Sequence, residues 1–330
     1  MPHFPVSNSN LSAVHLGIFL QNQYLIPGNI HCRIIKAGIN DTYMVDNGDD
    51  RYVFRVYSLH WRTRNEIEEE LRLLNTLKAQ QIGISYPIPD KDHHFIQTLS
   101  APEGERFGVL FSFAKGKKQH SFPADIHYKT GRLMAQLHSL TQNFHLQRVT
   151  YTPEILLTEP LEKIGLFLSA DAPEMAYMQS LHQVLLQQLQ HAATLDLTKG
   201  AVHLDIWFDN MNIDDNGEVT IFDFDFCGNG WLCLDIAYYM LQLYNIERDE
   251  EACQNKLRHF LDGYTSIRAI PEAEQALLPA LGTSIYFFYL GVQCSRYDNW
   301  SNTFLSESYL KRFITALVKR YADIHQLTTT

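Results

Sequence analysis

The run HLDIWFDNMNIDDNGEVTIFDFDF, residues 203–226, carries six Asp in twenty-four positions and sets several of them between aromatic and aliphatic neighbours. Asp223 and Asp225 alternate with Phe222, Phe224 and Phe226, a pattern expected of chain that is at least half buried. An ionised carboxylate there is costly unless it is paired or holds a cation. Carboxylates and amide oxygens packed this closely suit two chemistries: ligation of a hard divalent cation, and acceptance of a proton. Asn212, Asp214, Asn216, Gly217 and Asp223 fall at the first, third, fifth, sixth and twelfth positions of a calcium-loop pattern. Against that reading, the first ligand is Asn, the last is Asp in place of a bidentate Glu, and the flanks read as strands where the motif needs helices. An exposed hairpin that happens to be acidic would account for DDNG as a turn, but not for Asp223 and Asp225 among phenylalanines.

The elements that must position these residues change character along the chain. Ser9 or Asn10 is expected to cap a first helix, LSAVHLGIFLQ, which Pro27 and Gly28 end. HCRIIKAG, DTYMVDN and RYVFRVY are short, rich in β-branched and aromatic residues, and separated by turn residues, so they read as two consecutive hairpins. From Arg64 to Ala79, Ile67, Leu71, Leu74 and Leu77 recur at helical spacing; YPIPD follows, then the strand FGVLFSFAKGK. Beyond it the chain reads as helical, with TGRLMAQLHSL as one helix and Met178, Leu181, Leu185 and Leu189 as the buried stripe of another. The acidic run interrupts these helices with two strand-like pieces, MNI and EVTIFDF. The expectation is an α+β chain dividing near residue 114: 1–113 β-rich, 114–330 mainly helical with a β-hairpin.

At 330 residues, 45% apolar and 19% charged, the composition is that of an ordinary globular protein with length enough for one large or two linked domains. A net charge of -10 argues against a partner as phosphate-rich as nucleic acid, while leaving room for a nucleotide held by local positive charge. The five scattered Cys form no CxxC pair, which favours a reducing compartment. The opening residues do not read as a signal peptide, and the longest strongly apolar run, 285–292, is too short to span a bilayer. A cytoplasmic protein with no membrane, nucleic-acid or obligate protein partner is expected.

His203, Asp205 and Asn210 form H-x-D-x-x-x-x-N, with Asp223 following at the end of IFDF. This resembles the catalytic and metal-binding loops of protein-kinase-like enzymes, and within them the aminoglycoside phosphotransferase family, which includes choline and homoserine kinases. IKAGINDTYMV resembles that family's first hairpin, YVFRV its third strand, and ELRLLNTL followed by ISYPIP the helix and proline connection that come next. TGRLMAQLHSL resembles its LGxxLAxLH helix. Asp223 and Asp235, with Gly228 and Gly230 between them, resemble its closing D…D-x-A, here in LDIA. The resemblance implies a bilobal protein-kinase-like fold binding ATP and Mg2+. By it, Asp205 accepts the acceptor hydroxyl's proton, Asn210 and Asp223 hold magnesium, and Arg55, with Glu70 as partner and Gly38 and Asn40 in the phosphate hairpin, binds the nucleotide. Glu66 and Glu69 are the alternatives to Glu70.

The sequence departs from the family pattern in two places. Arg55 stands where protein kinases have Lys, and Leu204 stands where this family usually has Gly. His203 reads as structural, bonded to backbone, and Asp235 as a brace for the catalytic loop; Asp225 is either a second metal ligand or simply hydrogen-bonded. Only eleven residues separate Asp223 from Asp235, which favours a small-molecule hydroxyl acceptor over a peptide. Trp207 and Asp209 beside the base, with Asp298 and Trp300 on a helix end that also carries Arg296 and Tyr297, suit an amine or aminated sugar. The same end segment resembles bacterial stress-response kinases, which would imply a protein Ser/Thr acceptor. A non-catalytic nucleotide-binding pseudokinase is the third alternative.

Overall fold

The structure, a computed structural model, describes residues 4–299 and 302–327. The chain forms two compact units, one made of the residues up to Lys115 together with Asn299, the other starting at Gly116.

In the first unit, helix α1 (Ala13–Tyr24) precedes an antiparallel sheet of β1 (His31–Ala37), β2 (Asp41–Asp46), β3 (Arg51–Val56), β4 (Ile96–Ala101) and β5 (Gly104–Ser112), in the order β1-β2-β3-β5-β4. The two hairpins expected from sequence are β1–β2 and β2–β3. Alternation does the sorting: Tyr43 and Val45 of β2 and Phe54 and Val56 of β3 enter a core with Leu16 and Leu20 of α1. Each such side chain contributes about 1.5–3 kcal/mol by leaving water. α1 is capped by Ser12, whose side chain accepts from His15 N, and not by Ser9 or Asn10. Ser9 is committed elsewhere, its hydroxyl donating to Glu103 at 2.6 Å. Glu103 also takes Arg106 Nη1 at 3.2 Å, while Arg106 Nη2 reaches Asp41 at 2.8 Å. This buried guanidinium ties the segment before α1 to the sheet. Helix α2 (Arg64–Ala79) starts at a reciprocal capping box between Thr63 and Glu66 and buries Ile67, Leu71, Leu74 and Leu77, the stripe legible in the sequence.

The second unit is mainly helical. α3 (Ala124–Thr141), α4 (Glu159–Ile164) and α5 (Pro173–Ala192) come first, and α6 (Cys233–Ile246), α7 (Glu250–Thr265), α8 (Glu272–Ser295), α9 (Glu307–Phe313) and α10 (Arg320–Ile324) follow the acidic run. Between them lie β6 (Lys199–Val202), β7 (Met211–Ile213), β8 (Val219–Ile221) and β9 (Gly228–Trp231), paired as β6–β9 and β7–β8. The β6–β9 ribbon was not apparent in the sequence because KGAV and GNGW are glycine-containing and short. The second strand of the acidic hairpin ends at Ile221, earlier than the alternation in EVTIFDF suggests. Asp223 turns into the left-handed region (φ 67°, ψ 63°), and Phe224–Phe226 form a single 3-10 turn. The calcium-loop alternative fails here. Asp214 spends Oδ1 accepting from the backbone of Asn216 and Glu218, and both flanks are strands.

Although α8 is long and apolar enough to cross a membrane by composition, 72% of its most apolar window is buried inside the protein. It serves as a core helix.

Gly116 is needed where it stands. Its φ is +87°, and a Cβ would lie 2.1 Å from the carbonyl oxygen of Ile213, against which Lys117 makes two backbone bonds of 3.0 and 3.1 Å. Gly116→Ala is expected to push the β7–β8 hairpin outward and to cost about 1–3 kcal/mol, as overpacking and left-handed strain do. Urea unfolding would register this as a lower midpoint; an unchanged midpoint would mean the hairpin yields freely.

Candidate active site

The hairpin of the acidic run is held by backbone geometry first. The register Met211↔Ile221 continues one step outward, where Phe222 N donates to Asn210 O at 2.9 Å, so Asn210 stands across from Phe222, the residue before Asp223. His203 closes the third side. Its Nδ1 accepts from Asp205 N at 3.1 Å, which assigns the proton to Nε2, 3.2 Å from the carbonyl of Phe222. The His203 ring lies 4.3 Å from that of Phe224 and the residue is 1% exposed, so its two nitrogens tie the backbone at Asp205 to that at Phe222 and face no solvent.

Asp205 is set by side chains. Asn210 Nδ2 donates to Asp205 Oδ2 at 2.6 Å and to its carbonyl at 3.1 Å, and the Tyr238 hydroxyl donates to Oδ1 at 2.5 Å. The Asn210 amide thereby spends its donor end on Asp205, and the amide oxygen is the end suited to a cation. Burial, and after it the Asp205 charge, push the Tyr238 phenol well above its usual range, so it remains a proton donor.

Leu204 explains its own departure from Gly. It is held at φ +63°, a conformation costing a non-glycine residue about 1–2 kcal/mol. Asp235, fully buried on α6, accepts from His203 N at 2.9 Å and Leu204 N at 2.6 Å, and Tyr289 on α8 donates to Leu204 O at 3.0 Å. With its side chain 0% exposed, Leu204 offsets the strain by packing. Behind Asp235, His138 Nε2 stands at 3.1 Å, and His138 Nδ1 meets the Tyr264 hydroxyl at 2.9 Å. α3 and α7 are close enough for this because Gly131 faces Phe260 O and Gly263 faces Tyr128 O, each with room for no Cβ.

Asp225 is buried, and its carbonyl accepts from Arg148 Nη2 at 2.5 Å, as that of Phe226 does from Tyr151 at 2.5 Å; these bonds pin the turn that follows Asp223. Asp209 is ion-paired with Lys118 at 2.8 Å, and Trp207 packs on Phe208 with ring centroids 4.4 Å apart. Asp298 is exposed beyond the end of α8, after Tyr297 on Phe167. Trp300 lies outside the described residues.

In the first unit, Arg55 Nη1 reaches Glu70 Oε1 at 2.8 Å, with both side chains almost wholly buried. The other two acids of α2 are committed differently, Glu66 to the Thr63 cap and Glu69 to Arg72. Tyr57 extends the pair, donating to Glu70 Oε2 at 3.1 Å, and the guanidinium lies 4.9 Å over the Phe111 ring. A buried ion pair is worth keeping only when its remaining donors and acceptors are met, and Tyr57 meets one of them. Gly38 stands in the turn between β1 and β2. Asn40 is buried there, accepting from Ser58 N at 3.3 Å, while Ser58 Oγ donates to Ile39 O at 2.5 Å.

Sequence reasoning missed Tyr57, Lys118, Tyr238 and Tyr289. Tyr57 could have been found two places after Arg55, just past the end of β3, and Tyr238 one helical turn after Asp235. Lys118 and Tyr289 had no local signal. Among the described residues no group of three His, Cys, Asp or Glu forms a ready cation cage. Asn210 and Asp223 offer hard oxygen donors, and magnesium in kinases takes one or two carboxylates or amides and completes its shell with phosphate and water, so the donor set fits that ion.

Comparison with known proteins adds to this geometry. The profile of the phosphotransferase enzyme family matches residues 31–270. The homoserine kinase of Agrobacterium fabrum is 25% identical over 77% of this chain and 77% of its own. The structure of a microcompartment-associated aminopropanol kinase superposes with a TM-score of 0.78 at 24% identity, covering 96% of this chain and all of the other. An amicoumacin kinase solved in complex with AMP-PNP, Ca2+ and Ami superposes with a TM-score of 0.73 at 17% identity, over 96% of this chain and 98% of the other. These two structures share its protein-kinase-like fold.

Proposed function

The chain belongs to the phosphotransferase enzyme family, as a kinase with an alcohol group as acceptor, and from that premise we propose that it transfers the γ-phosphoryl group of ATP, with magnesium, to the hydroxyl of a small amino alcohol. The observation that carries the reading is the direction in which the Asn210 amide is turned. Asn210 directs its donor end to Asp205 at 2.6 Å, which leaves its oxygen for a cation beside Asp223. In this mechanism Asp205 takes the proton of the acceptor hydroxyl. The acceptor oxygen bonds to the γ-phosphorus as the bond from that phosphorus to the bridging oxygen breaks, and the electron pair leaves with ADP. Asn210 and Asp223 would hold the metal, which neutralises phosphate oxygens when bound. In the first unit Arg55, braced by Glu70 and Tyr57, would offer fixed positive charge to the phosphates of the nucleotide, with Gly38 and Asn40 in the phosphate hairpin.

Two facts support a small acceptor. The residues following Asp223 are spent on a 3-10 turn and on β9, with Asn229 and Trp231 buried, so no extended segment is offered to a peptide. Homoserine and aminopropanol, named in relatives of this chain, are both amino alcohols. Asp209 is paired with Lys118, so recognition of the amine falls to Trp207 and the aromatic residues near the base rather than to Asp209. The reading is tested by magnesium-dependent ADP release from purified protein with homoserine, 1-amino-2-propanol, choline, aminoglycosides and casein. Stimulation by an amino alcohol, with phosphate recovered on its oxygen, is the expected result. Stimulation by casein alone would replace it with the protein-kinase reading.

A further inference from the structure

We propose that Tyr238 is a positioning residue for phosphoryl transfer, holding the Asp205 carboxylate in the orientation in which it meets the acceptor hydroxyl. The inference rests on Asp205 as the proton acceptor. Two donors reach the carboxylate from opposite ends, Tyr238 on Oδ1 at 2.5 Å and Asn210 on Oδ2 at 2.6 Å. A donor on each oxygen restrains the carboxylate at both ends. χ2 of Asp is a broad, soft torsion, so the plane of the carboxylate is set by the bonds its oxygens make.

Tyr238 can restrain because it is itself fixed. It is 3% exposed and lies on α6 one turn after Asp235. Residues three apart share a helix face, so one helix shapes the loop twice. Asp235 sets the backbone at His203 and Leu204, and Tyr238 sets the side chain at Asp205. From α8, Tyr289 packs its ring 5.7 Å from that of Tyr238 and bonds Leu204 O, which closes the far side. An O–H donating to a carboxylate is about twice as strong as a neutral pair, so the restraint is firm. Tyr238 makes no bond to the reacting atoms in this scheme and acts through Asp205.

Tyr238→Phe removes one hydroxyl and keeps the ring and its packing. Magnesium-dependent ADP release is measured to water alone and with homoserine or 1-amino-2-propanol, beside nucleotide affinity and the unfolding midpoint. The expected result is a kcat lower by about 10- to 100-fold, the cost of a loosened catalytic group, with KM for ATP and the midpoint unchanged. In an Asp205→Asn background the same change should have no further effect on residual turnover, because the group it acts through is gone. A Tyr238→Phe kcat equal to or above the wild-type value would overturn the proposal. So would a fall in kcat tracking an equal loss of nucleotide affinity and stability. Should Asp205→Asn itself retain full turnover, the base assignment fails, a result the Tyr238 variant alone cannot produce.

Discussion

Asp205→Asn is expected to lower kcat for acceptor phosphorylation by on the order of 10²- to 10⁴-fold, the usual worth of a positioned general base, while nucleotide affinity is unchanged. The structure gives the variant a way to fold. An Asn at 205 can point its oxygen at the Asn210 amide and its NH2 at the Tyr238 hydroxyl, which then accepts, so both partners of 2.6 and 2.5 Å remain met. What is lost is the ability to take up a proton. Asp223→Ala is expected to behave differently, weakening magnesium-nucleotide binding itself, since it removes a hard anionic ligand. Titration of a fluorescent nucleotide with and without magnesium separates the two. Equal loss of binding in both variants would contradict the division of roles between Asp205 and Asp223.

The second large effect concerns stability. Asp235→Ala should destabilise the protein by about 3–5 kcal/mol, the scale for removing one partner of a buried charged network. Three groups lose their acceptor at once: His203 N, Leu204 N and His138 Nε2, all within 3.1 Å of a side chain that is fully buried. Two of them are buried backbone amides, and one belongs to a residue already strained at φ +63°. Thermal unfolding would show a markedly lower midpoint, and amide exchange at 203 and 204 should lose protection. Asp235→Asn, which keeps one acceptor oxygen, should fall between. A midpoint for Asp235→Ala equal to that of the wild type would mean water replaces the carboxylate without cost.

The sequence showed its fold through period and punctuation. Alternation in DTYMVD and RYVFRV and the stripe Ile67, Leu71, Leu74, Leu77 named the sheet and α2, and the structure has both. It hid what depends on distant partners. EVTIFDF alternates like a strand, yet the left-handed Asp223 ends β8 at Ile221, and nothing local announces that. Arg106, the largest fully buried side chain, looks like a surface residue until Asp41 and Glu103 are seen on either side of it. At the candidate site the motif located Asp205, Asn210, Asp223 and Asp235, because their spacing is short and fixed by one hairpin and one helix start. Tyr289 was invisible, since 85 residues of chain lie between it and the Leu204 carbonyl it holds.

That long separation has a consequence during synthesis. The loop around Leu204 takes its shape from Asp235 and Tyr289, which follow it in the chain by 31 and 85 residues. At elongation rates of roughly 5–20 residues per second, the loop has been made some 4 to 17 seconds before the last of these anchors exists. A nascent chain that has emerged only as far as β9 therefore carries all three motif residues, Asp205, Asn210 and Asp223, without the means to arrange them. The candidate site forms late, only once the core helix α8 has been made, and ribosome-bound intermediates shorter than that are expected to be silent toward ATP and acceptor alike.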